Sequence, residues 1–261
     1  MTSMSAGTTG SRRFVTIRCE FDGPVAVITL NRPEKLNAMN PKMAAELHHA
    51  FGGLPDGTRA VVVTGDERAF SAGADLAASD EVEEAGAGWI DMLERLARLP
   101  QPSIAAIEGY CLGGGLLLAL ACDLRIAGAT AQLGFPEIKR GFFPGTGASQ
   151  RLIRAVSRSR AKEIMFFGRH VDAAAAERWD LLNRVVEPGE ALTTARAWAD
   201  ELAAGPPLAL AAIKRLVDEG AELPFQDGLA LEREVDKTLG EDANEGVLAF
   251  LEKRPPRFQG R

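Results

Sequence analysis

The chain reads as an α/β layer protein, and three observations carry that reading. Up to about residue 190, β-branched runs alternate with stretches of helical spacing, the order expected of strands backed by helices. Ala60–Thr64 is a short apolar, β-branched run, the composition of a strand covered on both faces. Ile104–Asp123 passes from a β-branched run through Gly113-Gly114-Gly115 into Leu and Ala of helical character. That is the order of a buried strand, a tight turn and a helix that starts on glycine.

Size and composition bound the answer. A chain of 261 residues is one large domain or a domain with an appendage. At 46% apolar and 25% charged it can bury a substantial core. A net charge of −6 argues against a general nucleic-acid binder, and any anionic substrate must meet a local basic patch. Cys19, Cys111 and Cys122 lack the spacing of a disulfide framework or a zinc site, which fits a reducing, cytoplasmic setting. The 14 uncharged residues between Glu108 and Asp123 fall short of a membrane span, so no membrane partner is expected. Residues 1–13 have no apolar signal region and read as a disordered start.

In chain order, Phe14–Ile17 and Val25–Leu30 read as strands joined by Asp22-Gly23-Pro24. Asn40-Pro41 opens a helix, with Asn as N-cap and Pro at the first helical position, running to about Leu54. After the Ala60–Thr64 strand comes a loop over residues 65–75. A helix over 81–99 follows, stopped by Pro100 and Pro102. Residues 124–127 and 131–133 read as short strands and 135–149 as a Gly/Pro/Phe loop. Helices are then expected over 150–156, 158–167, 173–179, 190–204, 206–220, 225–239 and 242–253, with a strand at Val185-Val186. No internal repeat is visible.

The chemistry gathers at the glycine turn. The first N–H groups of a helix have no intrahelical acceptor, and the dipole places partial positive charge beside them. An oxygen that becomes negative during a reaction would be stabilised there. A plain strand-to-helix packing turn fits the stretch equally well. Gly145-Thr146-Gly147 is not a phosphate loop, and no Gly-x-Ser-x-Gly elbow or His-Glu-x-x-His helix is present.

Five motifs, taken in order, resemble the crotonase (enoyl-CoA hydratase/isomerase) family over roughly residues 15–258. They are Asn31-Arg32-Pro33-Glu34-Lys35-Leu36-Asn37-Ala38, Phe70-Ser71-Ala72-Gly73-Ala74-Asp75 and Gly109-Tyr110-Cys111-Leu112-Gly113-Gly114-Gly115. Phe135-Pro136-Glu137 with Gly141-Phe142-Phe143-Pro144-Gly145, and the tail Phe250-Leu251-Glu252-Lys253-Arg254, complete the set. The resemblance implies a ββα spiral core over 14–200 that binds a coenzyme A thioester and carries the catalytic site. It also implies a C-terminal helical trimerisation region over 201–261, and assembly as a homotrimer or a dimer of trimers. Coenzyme A enters as part of the substrate, with no separate cofactor. By position, the backbone N–H groups of Ala74 and Gly114 are the oxyanion-hole donors that stabilise a thioester enolate.

The chain departs from the family's hydratases at one place. They carry two glutamates, one three residues after the middle glycine and one in the Pro-Glu motif; here these positions are Leu117 and Glu137. Leu117 shares a helix face with Gly114 and is expected to border the substrate without moving a proton. One carboxylate suffices to move a double bond from 3-enoyl to 2-enoyl, so isomerisation is favoured, with Glu137 as acid and base. Burial among Phe135, Phe142 and Phe143 would raise its pKa, and the phenylalanine pair would line an apolar acyl pocket. Arg32, Lys35 and Lys253 are candidates for the coenzyme A phosphates, and Leu36 and Ala72 for main-chain contacts to its adenine end. Two alternatives stand: hydration by Glu137 with a helper such as Tyr110, Thr146 or Ser149, and a relative that binds coenzyme A without chemistry. His48 and His49 are read as a solvated helix face and His170 as lying outside the site.

Overall fold

The computed structural model describes residues 10–261, apart from the side chains of residues 79–87. β1 (Gly10–Arg13), β2 (Ile17–Asp22) and β3 (Val25–Leu30) form an antiparallel run. The expected disorder over 1–13 is therefore corrected at its end, because Gly10–Arg13 pairs along β2; residues 1–9 lie outside the described residues. The expected strand at 14–17 begins only at Ile17, since Val15 is exposed and the alternation of buried and exposed residues starts there. α1 (Pro41–Gly52) opens as expected, Asn40 Oδ1 accepting the Met43 N–H at 3.0 Å.

From this point the chain repeats one move three times. β4 (Ala60–Thr64) enters a large sheet, β5 (Ala69–Ser71) enters a small one, and α2 (Val82–Ala97) follows. β6 (Ser103–Ile107), β7 (Tyr110–Leu112) and α3 (Gly114–Ala121) do the same. β8 (Leu124–Gly128), β9 (Gln132–Gly134), a 3-10 turn at Pro136–Arg140 and α4 (Ala148–Ala155) complete the third turn. The remainder is α5 (Arg158–Phe167), β10 (Val171–Asp172), α6 (Ala173–Arg178), β11 (Arg184–Val186), α7 (Ala191–Ala204), α8 (Pro207–Gly220), α9 (Phe225–Asp236) and α10 (Asp242–Glu252). Among the described residues the large sheet has the order β1-β2-β3-β4-β6-β8-β11 and is parallel from β3 onward. The small sheet has the order β10-β9-β7-β5, parallel except for β10.

The apolar run of β4 behaves as its composition requires. Val61 and Val63 face the main core with Ile28, Ala105 and Ile107, while Ala60 and Val62 face α7. α7 meets the sheet with Ala191, Ala195, Ala199 and Ala203, a four-residue stripe of small side chains that lets the helix lie close. It runs past the expected core boundary at residue 200. α3 is apolar on every face and all but its first residue is buried, the mark of a helix enclosed on all sides. By contrast α8, α9 and α10 leave Ile213, Val217, Phe225, Val247, Phe250 and Leu251 exposed. Among the described residues no helix is long and apolar enough to cross a membrane.

The N-cap gives a direct check on local stability. Asn40→Ala should lower unfolding free energy by about 0.5–2 kcal/mol, read as a shifted urea midpoint with an unchanged slope.

Candidate active site

β5 and β7 lie side by side and end on turns that nearly touch. Gly73 has φ +102° and Gly113 φ +51°, a region that disfavours any side chain. A Cβ on Gly73 would stand 3.0 Å from the Leu112 carbonyl oxygen and 3.5 Å from the Gly114 nitrogen. One on Gly115 would stand 2.5 Å from the Ser71 carbonyl oxygen. The approach therefore exists only because these positions carry no side chain.

Two donors remain unpaired at the contact. Met39 bridges to Ala74 in parallel fashion, giving its N–H to the Gly73 carbonyl and taking the Asp75 N–H, both at 2.8 Å. That pairing occupies the neighbours of Ala74 and leaves its own N–H directed the other way. Gly114 is the first residue of α3, where no intrahelical acceptor exists. Among the described residues neither N–H donates to a protein acceptor, and the Ala74 nitrogen lies 3.6 Å from where a Gly114 Cβ would stand.

Glu137 hangs over the same turn. β9 pairs with β7 in the register Leu112 to Gly134, so the 3-10 turn after β9 brings the carboxylate back across Gly113. A Cβ on Gly113 would be 2.7 Å from Glu137 Oε1. Oε2 is buried and, among the described residues, has no hydrogen-bond partner, a rare state for a carboxylate oxygen. Burial pushes the Glu137 pKa up, while its own peptide N–H and the charge of Arg140 pull partly against the shift. Of the three aromatic neighbours expected, only Phe135 is buried; Phe142 and Phe143 are 61% and 80% exposed. They sit beyond the 3-10 turn, where the chain leaves the body of the protein, so they do not wall Glu137.

A cavity of about 540 Å³ opens beside the two turns. Leu36, Ala72, Leu112 and Pro136 form its apolar lining. Lys139 and Arg140 line it too, a cationic pair one residue past the Pro-Glu motif that sequence reasoning passed over. His170 is a correction: expected outside the site, it lines the cavity with its ring 5.8 Å from that of Tyr110, edge to face. The antiparallel pairing of β10 with β9 brings it there, and no local pattern announces that pairing. Burial, helped by the charge of Lys139, lowers the His170 pKa and favours the neutral ring. A larger groove of about 1260 Å³ lies between α4 and α8, at the far end of α3, and contains neither turn.

The other assigned residues fall elsewhere. Leu117 is 5% exposed and packs in the main core rather than along the cavity. Arg32 is held in an ion pair with Asp75 at 2.8 Å and is not free to meet a phosphate. Lys35 is exposed, close enough for its charge to help lower the Asp75 pKa, after the larger effects of the Arg32 hydrogen bond and the Ala77 N–H. Lys253 is exposed at the end of α10, and the tail beyond it returns to Arg59, which donates to the Phe258 carbonyl at 2.8 Å. Arg59 precedes β4, whereas the glycine turns follow β5 and β7, so this chain's Lys253 is not brought to the cavity.

Comparison with known proteins agrees with this geometry. The profile of the enoyl-CoA hydratase/isomerase family matches residues 20–261. A probable enoyl-CoA hydratase of Mycobacterium tuberculosis is 41% identical over 255 residues, covering 95% of this chain and 99% of that protein. A short-chain-enoyl-CoA hydratase of Clostridium acetobutylicum is 36% identical, covering 90% and 94%. The crystal structure of an enoyl-CoA hydratase from Bacillus anthracis superposes with a TM-score of 0.91 at 34% identity, covering 95% and 100%. With its spiral of paired strands and helices, its abutting glycine turns and these likenesses along nearly its whole length, the chain belongs to the enoyl-CoA hydratase/isomerase family.

Proposed function

We propose that this protein moves the double bond of an enoyl-coenzyme A thioester from C3 to C2, with Glu137 as the single acid and base. The observation that carries the reading is the buried, unpartnered Oε2 of Glu137 beside the glycine turn of α3. In the reaction, the Glu137 carboxylate takes a proton from C2 of the 3-enoyl thioester. The C–H electron pair becomes the C1–C2 double bond of a dienolate, and the thioester oxygen gains the negative charge. The Ala74 and Gly114 N–H groups stabilise that oxygen more than the neutral carbonyl, which lowers the barrier. The same carboxyl group then returns its proton to C4, leaving the C2–C3 double bond and an ionised Glu137. Among the described residues that line the cavity there is no carboxylate; Glu137 follows the lining residue Pro136, and this scheme needs no second acid.

Lys139 and Arg140 supply the local positive charge that an anionic coenzyme A requires on a chain of net charge −6. The exposed apolar residues of α8, α9 and α10 support assembly through the C-terminal helices, as a homotrimer or a dimer of trimers.

A second reading, hydration of a 2-enoyl thioester, is favoured by the hydratase names of the relatives and by the Tyr110–His170 pair, which could orient a water in the cavity. Separate incubations with 3-hexenoyl-CoA and crotonyl-CoA decide between them. Isomerisation predicts faster consumption of the first, and faster formation of hydroxyacyl-CoA from the second would replace it with hydration.

Glu137→Gln should cut turnover of 3-hexenoyl-CoA by about 10²-fold or more while leaving the Kd for butyryl-CoA within a few-fold. Undiminished turnover would remove Glu137 from the mechanism. Because the base must be ionised, kcat/KM should rise with pH through a midpoint above the ordinary glutamate value of about 4.3. Stability should run the opposite way. The folded-state pKa lies above the unfolded one, so ionising Glu137 costs stability as pH rises from the unfolded value through the folded one. The Tm of Glu137→Gln relative to the parent should therefore increase between pH 4 and pH 8.

Gly113→Ala should displace the carboxylate, since the new Cβ would meet Oε1 at 2.7 Å on a backbone of positive φ. The expected loss in kcat is about tenfold or more, with a destabilisation of about 1–3 kcal/mol in denaturant titration.

A further inference from the structure

The segment after β5 that carries the Ala74 amide is fastened along its length by residues 31–39. At the entry to β5 itself, the buried Asn37 donates through Nδ2 to the Ala69 carbonyl at 2.8 Å and to Asp66 Oδ2 at 3.1 Å, and accepts the Arg32 N–H at 2.8 Å. Along its middle, Ala72 donates to the Leu36 carbonyl at 2.9 Å and Met39 bridges Gly73 and Asp75. At its end, the Arg32 guanidinium spans the join. Nη1 donates to the Ala38 carbonyl at 2.5 Å and Nη2 to Asp75 Oδ2 at 2.8 Å. The two side chains are 15% and 11% exposed.

The geometry of residues 31–39 is not what the local sequence prefers. Leu36 and Asn37 have φ of 50° and 54°, a region that Asn tolerates and Leu avoids. Such an outlier persists only where its surroundings hold it. Here the turn directs the Leu36 carbonyl at the Ala72 N–H and places Leu36 on the cavity wall. The guanidinium ties Ala38 to Asp75, the residues beside Met39 and Ala74, and so clamps the bridge that sets which way the Ala74 N–H points.

We infer that Arg32, through Asp75, is a positioning residue that aims the Ala74 N–H at the thioester oxygen, and that it is not a phosphate ligand. The inference rests on the oxyanion reading proposed above. Charge-assisted hydrogen bonds in a half-buried setting are directional and stronger than neutral ones, which suits a clamp. A planar guanidinium with two engaged nitrogens can hold a carbonyl and a carboxylate at once, and an ammonium point charge cannot reproduce that span.

The test uses the full chain, butyryl-CoA labelled at the thioester carbonyl, and infrared difference spectroscopy. In the parent protein the carbonyl band of the bound thioester should lie below its position in water, because two donors polarise it. In Arg32→Ala and Asp75→Asn the band should return at least halfway to the free value, and kcat should fall about tenfold or more. The Kd of free coenzyme A, which has no acyl oxygen, should stay within about twofold. Arg32→Lys should fall between parent and Arg32→Ala. Asp75→Asn preserves the shape of its side chain and keeps the test available should Arg32→Ala fail to fold. An unmoved band with kcat within twofold in Asp75→Asn would overturn the inference. So would a loss of coenzyme A affinity parallel to the loss of kcat/KM, which would make Arg32 a phosphate ligand. An unshifted band in the parent protein itself would instead remove the oxyanion reading, and this inference with it.

Discussion

Two short strands of the small sheet end so close together that no side chain fits between the turns that follow them, and the rest of the site depends on that contact. A methyl group on Gly115 would collide with the Ser71 backbone, and one on Gly73 would press tightly on the Leu112 carbonyl. Close approach brings the N–H groups of Ala74 and Gly114 to one place. What leaves them available is the pairing of their neighbours: Met39 occupies Gly73 and Asp75, and the start of α3 supplies no acceptor. Donors fixed in this way have their orientation set during folding, so little reorganisation is needed when charge develops beside them.

The scaffold supplies the rigidity that such a contact needs. α3 is enclosed by apolar neighbours on every side, so its first turn cannot drift relative to β5 and β7. The large sheet is covered on its second face by the alanine stripe of α7. Glu108, next to the strand that leads into the site, accepts the Gly189 and Ala191 N–H groups at 3.0 and 3.1 Å and so caps α7. One buried segment thus serves the core on one side and the glycine turn on the other.

Electrostatics divides the cavity into distinct regions. Glu137 sits where burial disfavours its charge and raises its pKa. Asp75, close by in the chain, is held in the opposite state by Arg32, which keeps its pKa below the usual carboxylate range. Two acids near the glycine turns are therefore held differently: among the described residues one keeps an unpartnered oxygen, and the other is tied into the frame. Lys139 and Arg140 add positive charge at the cavity, and His170, kept toward its neutral form, faces Tyr110.

Much of the fold was legible in the residues themselves. The β-branched run of β4, the Asn-Pro start of α1 and the glycine-to-leucine passage into α3 each encode their structure locally, through burial pattern, capping and backbone freedom. The threefold ββα repeat was not visible as a sequence repeat, because β5 and β7 have three residues each and periodicity needs more. The same division holds at the site. Ala74, Gly114, Glu137, Leu36 and Ala72 could be singled out as candidates because they lie inside short motifs. Arg32, Leu117, Phe142 and Phe143 stand in surroundings other than those expected, and His170 in another place. Their positions depend on an ion pair 43 residues apart in sequence, on the packing of α3, on where a loop leaves the surface, and on the pairing of β10 with β9. Contacts between residues far apart in the chain leave no local trace, so only the tertiary structure could decide them.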